Sequence, residues 1–330
     1  GTSGIDPVVR QLNPKQIGRR NLPVPPHAKR RRTYTTNQFH TLPQLEWLVA
    51  DLIPKAGVVI VYGASGSGKS SLARAGVAAI LEQFSFDETV KIWRTAVFLP
   101  SLHGADLFGG LLRLLAEALP ELRSGGVSLE DIAVSLAKSP NDAVKLAIAP
   151  AFVRAGETAG GPVRVLLLLD QMEELWTDRR IGKDRESFLE AIEALTATPH
   201  LAVLATLRSD FYGEAQTSEA FLRLKIGRGH VDVPPPGPAA LQRVITEPAR
   251  LAGLRFERED VGGRCLDDVI LQDAVKDPGA LPLLQDALLE LCERRDEPKR
   301  LLTFAAYKAM GGVEGALGKR ATETFDGLDE

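Results

Sequence analysis

Four stretches of this chain are apolar without alternation and short enough to be strands. GVVIVYG (57–63), TAVFLP (95–100), VRVLLLLD (163–170) and LAVLATLR (201–208) show no polar face, so each is expected to be buried on both sides. A shorter run, HVDVPP (230–235), reads as a last strand. Between them apolar residues recur at helical spacing. Helices are expected over 69–84, 105–119, 128–137, 141–155 and 184–195. Strands alternating with helices predict an α/β fold: a mainly parallel sheet with helices on both faces.

After Pro238 the strand signal fades. Residues 238–253 and 281–295 read as helices, and the segment from Leu301 as a helical hairpin around Gly311-Gly312. Before the first strand, 42–54 is a short amphipathic helix closed by Pro54. Residues 1–41 hold five prolines and no periodicity, so they read as linker. The expected division is therefore a linker (1–41), a sheet domain (42–236), a helical lid (237–300) and the start of a further segment (301–330).

The 330 residues are 44% hydrophobic and 25% charged, as in ordinary globular proteins. No run approaches a membrane span and no secretory signal opens the chain. Cys265 and Cys292 form no paired motif, which points away from a disulfide framework or zinc site and toward the cytoplasm. The net charge of −3 hides an asymmetry. Residues 1–40 carry eight Lys/Arg against Asp6, whereas the rest holds 32 basic and 42 acidic residues. The basic run 29–32 could meet nucleic acid, but a solvated linker is the preferred reading.

The chemistry begins at Gly63-Ala-Ser-Gly-Ser-Gly-Lys-Ser-Ser71, which satisfies G-x-x-x-x-G-K-[ST] between a strand and a helix. Gly63, Gly66 and Gly68 let backbone N–H groups approach phosphates, and Ser65, Ser67 and Ser71 line the same loop. Lys69 is expected on the β- and γ-phosphates and Ser70 on Mg²⁺. Asp170 ends the most apolar strand, where ligands bind in open α/β sheets, and is the second expected metal-side group. Glu173 or Glu174, one turn on, would orient or deprotonate the attacking water. Arg208 closes the next strand. It reads either as a sensor of the γ-phosphate or as a salt-bridge partner of Glu173 or Glu174.

GASGSGKSSLARAG, VLLLLDQMEELW, LATLRSDFYG and LPLLQDALLEL…LTFAAYKAMGGVEGAL occur in the order found in the STAND class of P-loop NTPases. They resemble above all its bacterial novel STAND subgroup, over about residues 42–325. The resemblance implies an AAA+-like NTPase domain, a helical lid and the start of a winged-helix-like segment. It implies an ATP-operated switch related to NACHT and NB-ARC proteins, closed with ADP, open with ATP, and self-associating on activation. An N-terminal effector and a C-terminal sensor would belong to the same larger protein, in signalling or antiviral defence. Carried over by motif, Asp170 is the Walker B acid, Glu173 and Glu174 the catalytic acids, and Arg208 the sensor arginine. Pro282 matches a lid proline near the adenine, although Gly279 lies three residues before it rather than two. Met172 stands where an aromatic residue is usual. The other readings are a nucleic-acid-associated motor or replication ATPase of the AAA+/RecA-like kind, and a scaffold that holds ADP without hydrolysis.

Overall fold

The computed structural model describes residues 32–33, 57–83, 89–225, 230–259, 263–276, 281–313 and 315. The expected helix at 42–54 and basic residues 29–31 lie outside them. Six strands form one sheet: β1 (Arg32–Thr33), β2 (Gly57–Gly63), β3 (Ile92–Phe98), β4 (Val163–Leu169), β5 (Leu201–Arg208) and β6 (His230–Asp232). Their spatial order is β1-β6-β2-β5-β4-β3, and every pairing is parallel. The residue pair 32–33, expected within the linker, thus forms an edge strand.

The sheet is a wall between two apolar layers because side chains of a strand alternate faces. Val58, Ile60 and Tyr62 of β2 join Leu167 and Leu169 of β4 and Val203 and Ala205 of β5 on one face. Helices α2 (Leu107–Ala118), α3 (Leu129–Lys138), α4 (Ala149–Ala159) and α5 (Arg185–Thr196) supply much of the rest of that layer. Val59, Val61, Leu166, Leu168, Ala202 and Leu204 point the other way. There they meet Ala73, Val77 and Ile80 of α1, a continuous helix of an α turn (Lys69–Ser71), a π stretch (Leu72–Ala78) and a second α piece (Ala79–Gln83). All seven residues of β4 are buried, as its unalternating sequence requires.

Three expectations needed correction. β3 runs Ile92–Phe98 rather than 95–100, in register with Val163–Leu169, because Pro100 opens a one-turn helix (Pro100–His103) where its missing N–H costs nothing. The helix expected at 141–155 is three contiguous pieces, Pro140–Ala143, a π stretch Val144–Ile148, and α4. Pro150, at the start of α4, cannot donate to the preceding turn. β6 has three residues, not six, and Pro234-Pro235-Pro236 follow it. A helix the pattern did not reveal, α6 (Glu219–Lys225), packs Ala220, Phe221 and Leu224 into the first layer.

The chain then builds a lobe with its own core. Leu241 and Ile245 of α7 (Pro238–Leu251) meet Leu266 and Ile270 of α8 (Leu266–Val275), another helix not expected from the pattern. Leu284 and Leu291 of α9 (Leu281–Glu293) and Met310 of α10 (Phe304–Met310) complete it. Short strands β7 (Arg255–Phe256) and β8 (Leu301–Leu302) pair parallel at its side. Leu302, Tyr307, Met310 and Val313, which follow the expected 300/301 division, share this core. The second arm of the expected hairpin lies mostly outside the described residues. No helix among the described residues is long and apolar enough to cross a membrane.

Candidate functional site

The sheet order brings three polar strand ends together. β5 lies between β2 and β4, so Arg208 pairs in register with Gly63 on one side and Ala205 with Leu169 on the other. The loop after β2, the acid after β4 and the polar tip of β5 therefore share one edge of the sheet, where open α/β sheets bind ligands.

The loop is shaped by its glycines. A Cβ at Gly63 would stand 2.5 Å from both Ser67 Oγ and the Val233 carbonyl oxygen, so the loop can tuck against β6 only without one. Gly66 at φ 71° and Gly68 at φ 85° hold left-handed backbone that glycine adopts readily. Gly66, half-buried, curls the loop at its middle, and Gly68 turns the chain into α1. Lys69 is buried and folds back over the loop, its Nζ donating to the carbonyl oxygens of Gly63 (2.9 Å) and Ala64 (2.8 Å). Burial lowers its pKa, and the charge of Glu173 partly offsets that. Ser67 Oγ is buried yet meets no hydrogen-bonding partner among the described residues. Ser65 and Ser71 are exposed at the two ends of the loop.

Asp170 is wholly buried and heavily hydrogen-bonded. Its Oδ1 accepts from Ser70 Oγ (2.7 Å), Thr206 Oγ1 (2.5 Å) and the Gln171 N–H (3.1 Å). Its Oδ2 accepts from Arg74 through Nε (2.8 Å) and Nη2 (2.7 Å). Gln171 adopts φ 57°, which bends the chain sharply after the strand and lets its N–H also reach Thr206 Oγ1 at 2.9 Å. Neither Arg74 nor Thr206 was singled out as a site residue from the sequence. The signal for Arg74 is its place four residues after Ser70, on the same helix face.

The two glutamates, equivalent in sequence, part company here. Glu173 turns toward the loop: its Oε2 accepts the Arg208 N–H at 3.2 Å, and it is electrostatically coupled to Lys69. Burial raises its pKa despite that favourable company. Glu174 turns toward the end of β3, its Oε2 accepting the Ser101 N–H at 2.9 Å. The Arg208 side chain pairs with neither. It grips Asp210 through Nη2 (2.6 Å) and Nε (3.1 Å) and lies over the Phe211 ring, 5.1 Å from its centroid. That hydrogen bond holds the Asp210 carboxyl below the usual carboxylate range. Pro282 is exposed in the first turn of α9, and its neighbour Leu281 reaches the loop, with Cδ2 3.4 Å from where a Gly68 Cβ would sit.

The donor set suits a phosphate-bearing ligand with a divalent cation. A glycine cradle, a buried Ser67 hydroxyl without a partner among the described residues and the Lys69 ammonium are donors suited to anionic oxygens. Beside them the Ser70 hydroxyl and Asp170 carboxylate are hard oxygen donors of the kind magnesium prefers.

Parallel sheet, phosphate loop and acid-tipped neighbouring strands define a P-loop NTPase domain of AAA+-like architecture. The model of one family, described as novel STAND NTPase 1, matches residues 42–330, and the chain belongs to that family. Among solved structures it is similar to the ADP form of the ORC2 protein of Aeropyrum pernix, with 16% identity and a TM-score of 0.50. That alignment covers 80% of this chain and 62% of that one. The ADPNP–ADP complexes of the same protein align at 15% identity and TM-score 0.49, covering 83% and 64%. The Walker-type ATPase of Pyrococcus abyssi aligns at 17% and 0.47, covering 92% and 76%. The chain thus spans somewhat under two thirds of the ORC2 structures, and at these identities the likeness concerns the fold. No curated protein sequence matches it.

Proposed function

We propose that this chain is the nucleotide-operated switch core of a larger cytoplasmic signalling or defence protein, binding ATP and hydrolysing it slowly. The observation that carries the reading is the placement of Glu173. It is a half-buried carboxylate on the phosphate-loop side of the sheet edge, beside Lys69 and the Asp170–Ser70 pair. Lys69 uses two of its three N–H donors on loop carbonyls, leaving one for a phosphate oxygen. Ser70 and Asp170 would hold magnesium, which when bound offsets phosphate charge. Backbone N–H groups of the loop around Gly66 and Gly68 would surround the phosphates. Glu173, its basicity raised by burial, would orient and deprotonate the attacking water. Glu174, held by Ser101, would position the turn rather than touch the water.

Arg208 remains the proposed reporter of the γ-phosphate, with Asp210 as the partner it must leave. The approach of Leu281 to Gly68 at the start of α9 supports a lid (237–300) that reads the nucleotide held by the sheet domain (42–236), with Pro282 proposed near the adenine. An ADP-closed and an ATP-open form, self-association in the open form, and effector and sensor domains in the whole protein complete the proposal.

The test is the nucleotide carried by the purified protein, identified by mass spectrometry after denaturation, together with ATP turnover. Retained ADP and slow, Glu173-dependent hydrolysis are expected. Tight, salt-sensitive DNA binding that stimulates turnover would favour a motor on nucleic acid instead.

A further inference from the structure

Among the described residues, Arg74 is the one cation that touches the buried Asp170 carboxylate. It lies one helical turn after Ser70, so both side chains leave the same face of α1 and reach the same acid. They divide it: Ser70 Oγ takes Oδ1, whereas Arg74 takes Oδ2 through two nitrogens. The Asp170 side chain has no exposed surface, while that of Arg74 is 43% exposed. A buried carboxylate is costly without a counter-charge, and the guanidinium supplies one from the solvent side. It does so at the place where a divalent cation would draw on the same charge. The Arg74 side chain is long and partly solvated, so it can leave Oδ2 when a metal ion takes over its charge, whereas the short side chains of Ser70 and Thr206 fix them in place.

We propose that Arg74 is a resident counter-cation for Asp170 that sets the magnesium requirement of the site. It keeps the carboxylate in place when metal is absent, and it opposes metal entry by holding Oδ2 and neutralising the charge that attracts the ion. Arg74 is thus a positioning residue, acting through Asp170. The inference rests on the nucleotide reading above but is separable from it.

The experiment titrates Mg²⁺, from EDTA-buffered zero, against binding of a fluorescent ADP analogue to wild type, Arg74→Gln and Arg74→Lys. Thermal melts check that each variant is folded. The Mg²⁺ midpoint is expected to fall about tenfold in Arg74→Gln, the scale of removing one nearby charge at a partly screened site. Arg74→Lys should fall less, because it keeps the charge but loses the two-nitrogen grip. If Arg74→Gln does not fold, the lowered midpoint in Arg74→Lys decides the matter. An unchanged or raised midpoint overturns the role of Arg74 and leaves the nucleotide switch standing. Wild-type protein that binds the analogue equally well in EDTA also overturns it. Wild-type protein that binds no nucleotide at any Mg²⁺ level overturns both.

Discussion

Glu173 and Glu174 show how far one residue of offset matters. Both follow Asp170 by about a turn, but one faces the loop lysine and the other the Ser101 N–H. Glu173→Gln is expected to cut ATP turnover by roughly 10²–10⁴-fold while leaving nucleotide binding in place. Glu174→Gln should cost much less; equal losses would mean that the glutamate beside Lys69 is not the one acting on water. The raised pKa of Glu173 also has a stability sign. Burial favours its protonated form, so between the ordinary carboxylate pKa and the raised one the folded state holds more protons than the unfolded state. Stability contributed by this group therefore falls as pH rises through that window. Glu173→Gln should escape the loss. Denaturant midpoints of the two proteins are expected to converge at acid pH and to separate in favour of the variant as pH rises past that window.

At the scale of elements, the central strands are defined by what they bury. β4 has no exposed position, and Leu167 lies between β3 and β5 against the first layer. Leu167→Ala should destabilise the protein by about 2–5 kcal/mol, measured by denaturant unfolding, because packed neighbours cannot fill the space. The loop is defined by backbone conformation instead. Gly68→Ala would force an alanine to φ 85°, although its Cβ would meet Leu281 only at an ordinary 3.4 Å contact. The expected result is a loss of about 1–2 kcal/mol and weakened nucleotide binding, read by calorimetry. α1 reads as one helix in the sequence but contains a π stretch, which apolar periodicity over so few residues does not distinguish from an α-helix. The short α6 has too few turns for its pattern to stand out.

At the scale of the molecule, the helical lobe has a core separate from the two layers of the sheet. It meets the phosphate loop through Leu281. A lobe with its own core can shift as a body against the site, the usual arrangement for nucleotide-driven switching. Leu281→Ala is expected to speed release of bound ADP several-fold, followed with a fluorescent analogue, while the free energy of unfolding changes by about 1 kcal/mol or less given its partial burial. Light scattering on the full chain should show larger particles with a non-hydrolysable ATP analogue than with ADP. One mass under both nucleotides would argue against self-association as the output.

Much of this protein was legible in one dimension because its chemistry is local there. The phosphate loop is a contiguous motif, and strands buried on both faces announce themselves by unbroken apolar runs. The placement of Asp170 at a strand end follows from where its apolar run stops. What the tertiary structure decided involves partners far apart in the chain. Sheet order set β5 between the loop and the acid, joining Thr206 to Asp170 across 36 positions of sequence. It also put Glu173 rather than Glu174 on the loop side and brought Arg74 onto the buried carboxylate, whereas Arg208 pairs with Asp210 only two residues on. Spacing along a chain specifies a helix face or a strand end, but which charges meet there depends on how strands from distant segments are ordered, and that is settled only when the two apolar layers close around the sheet.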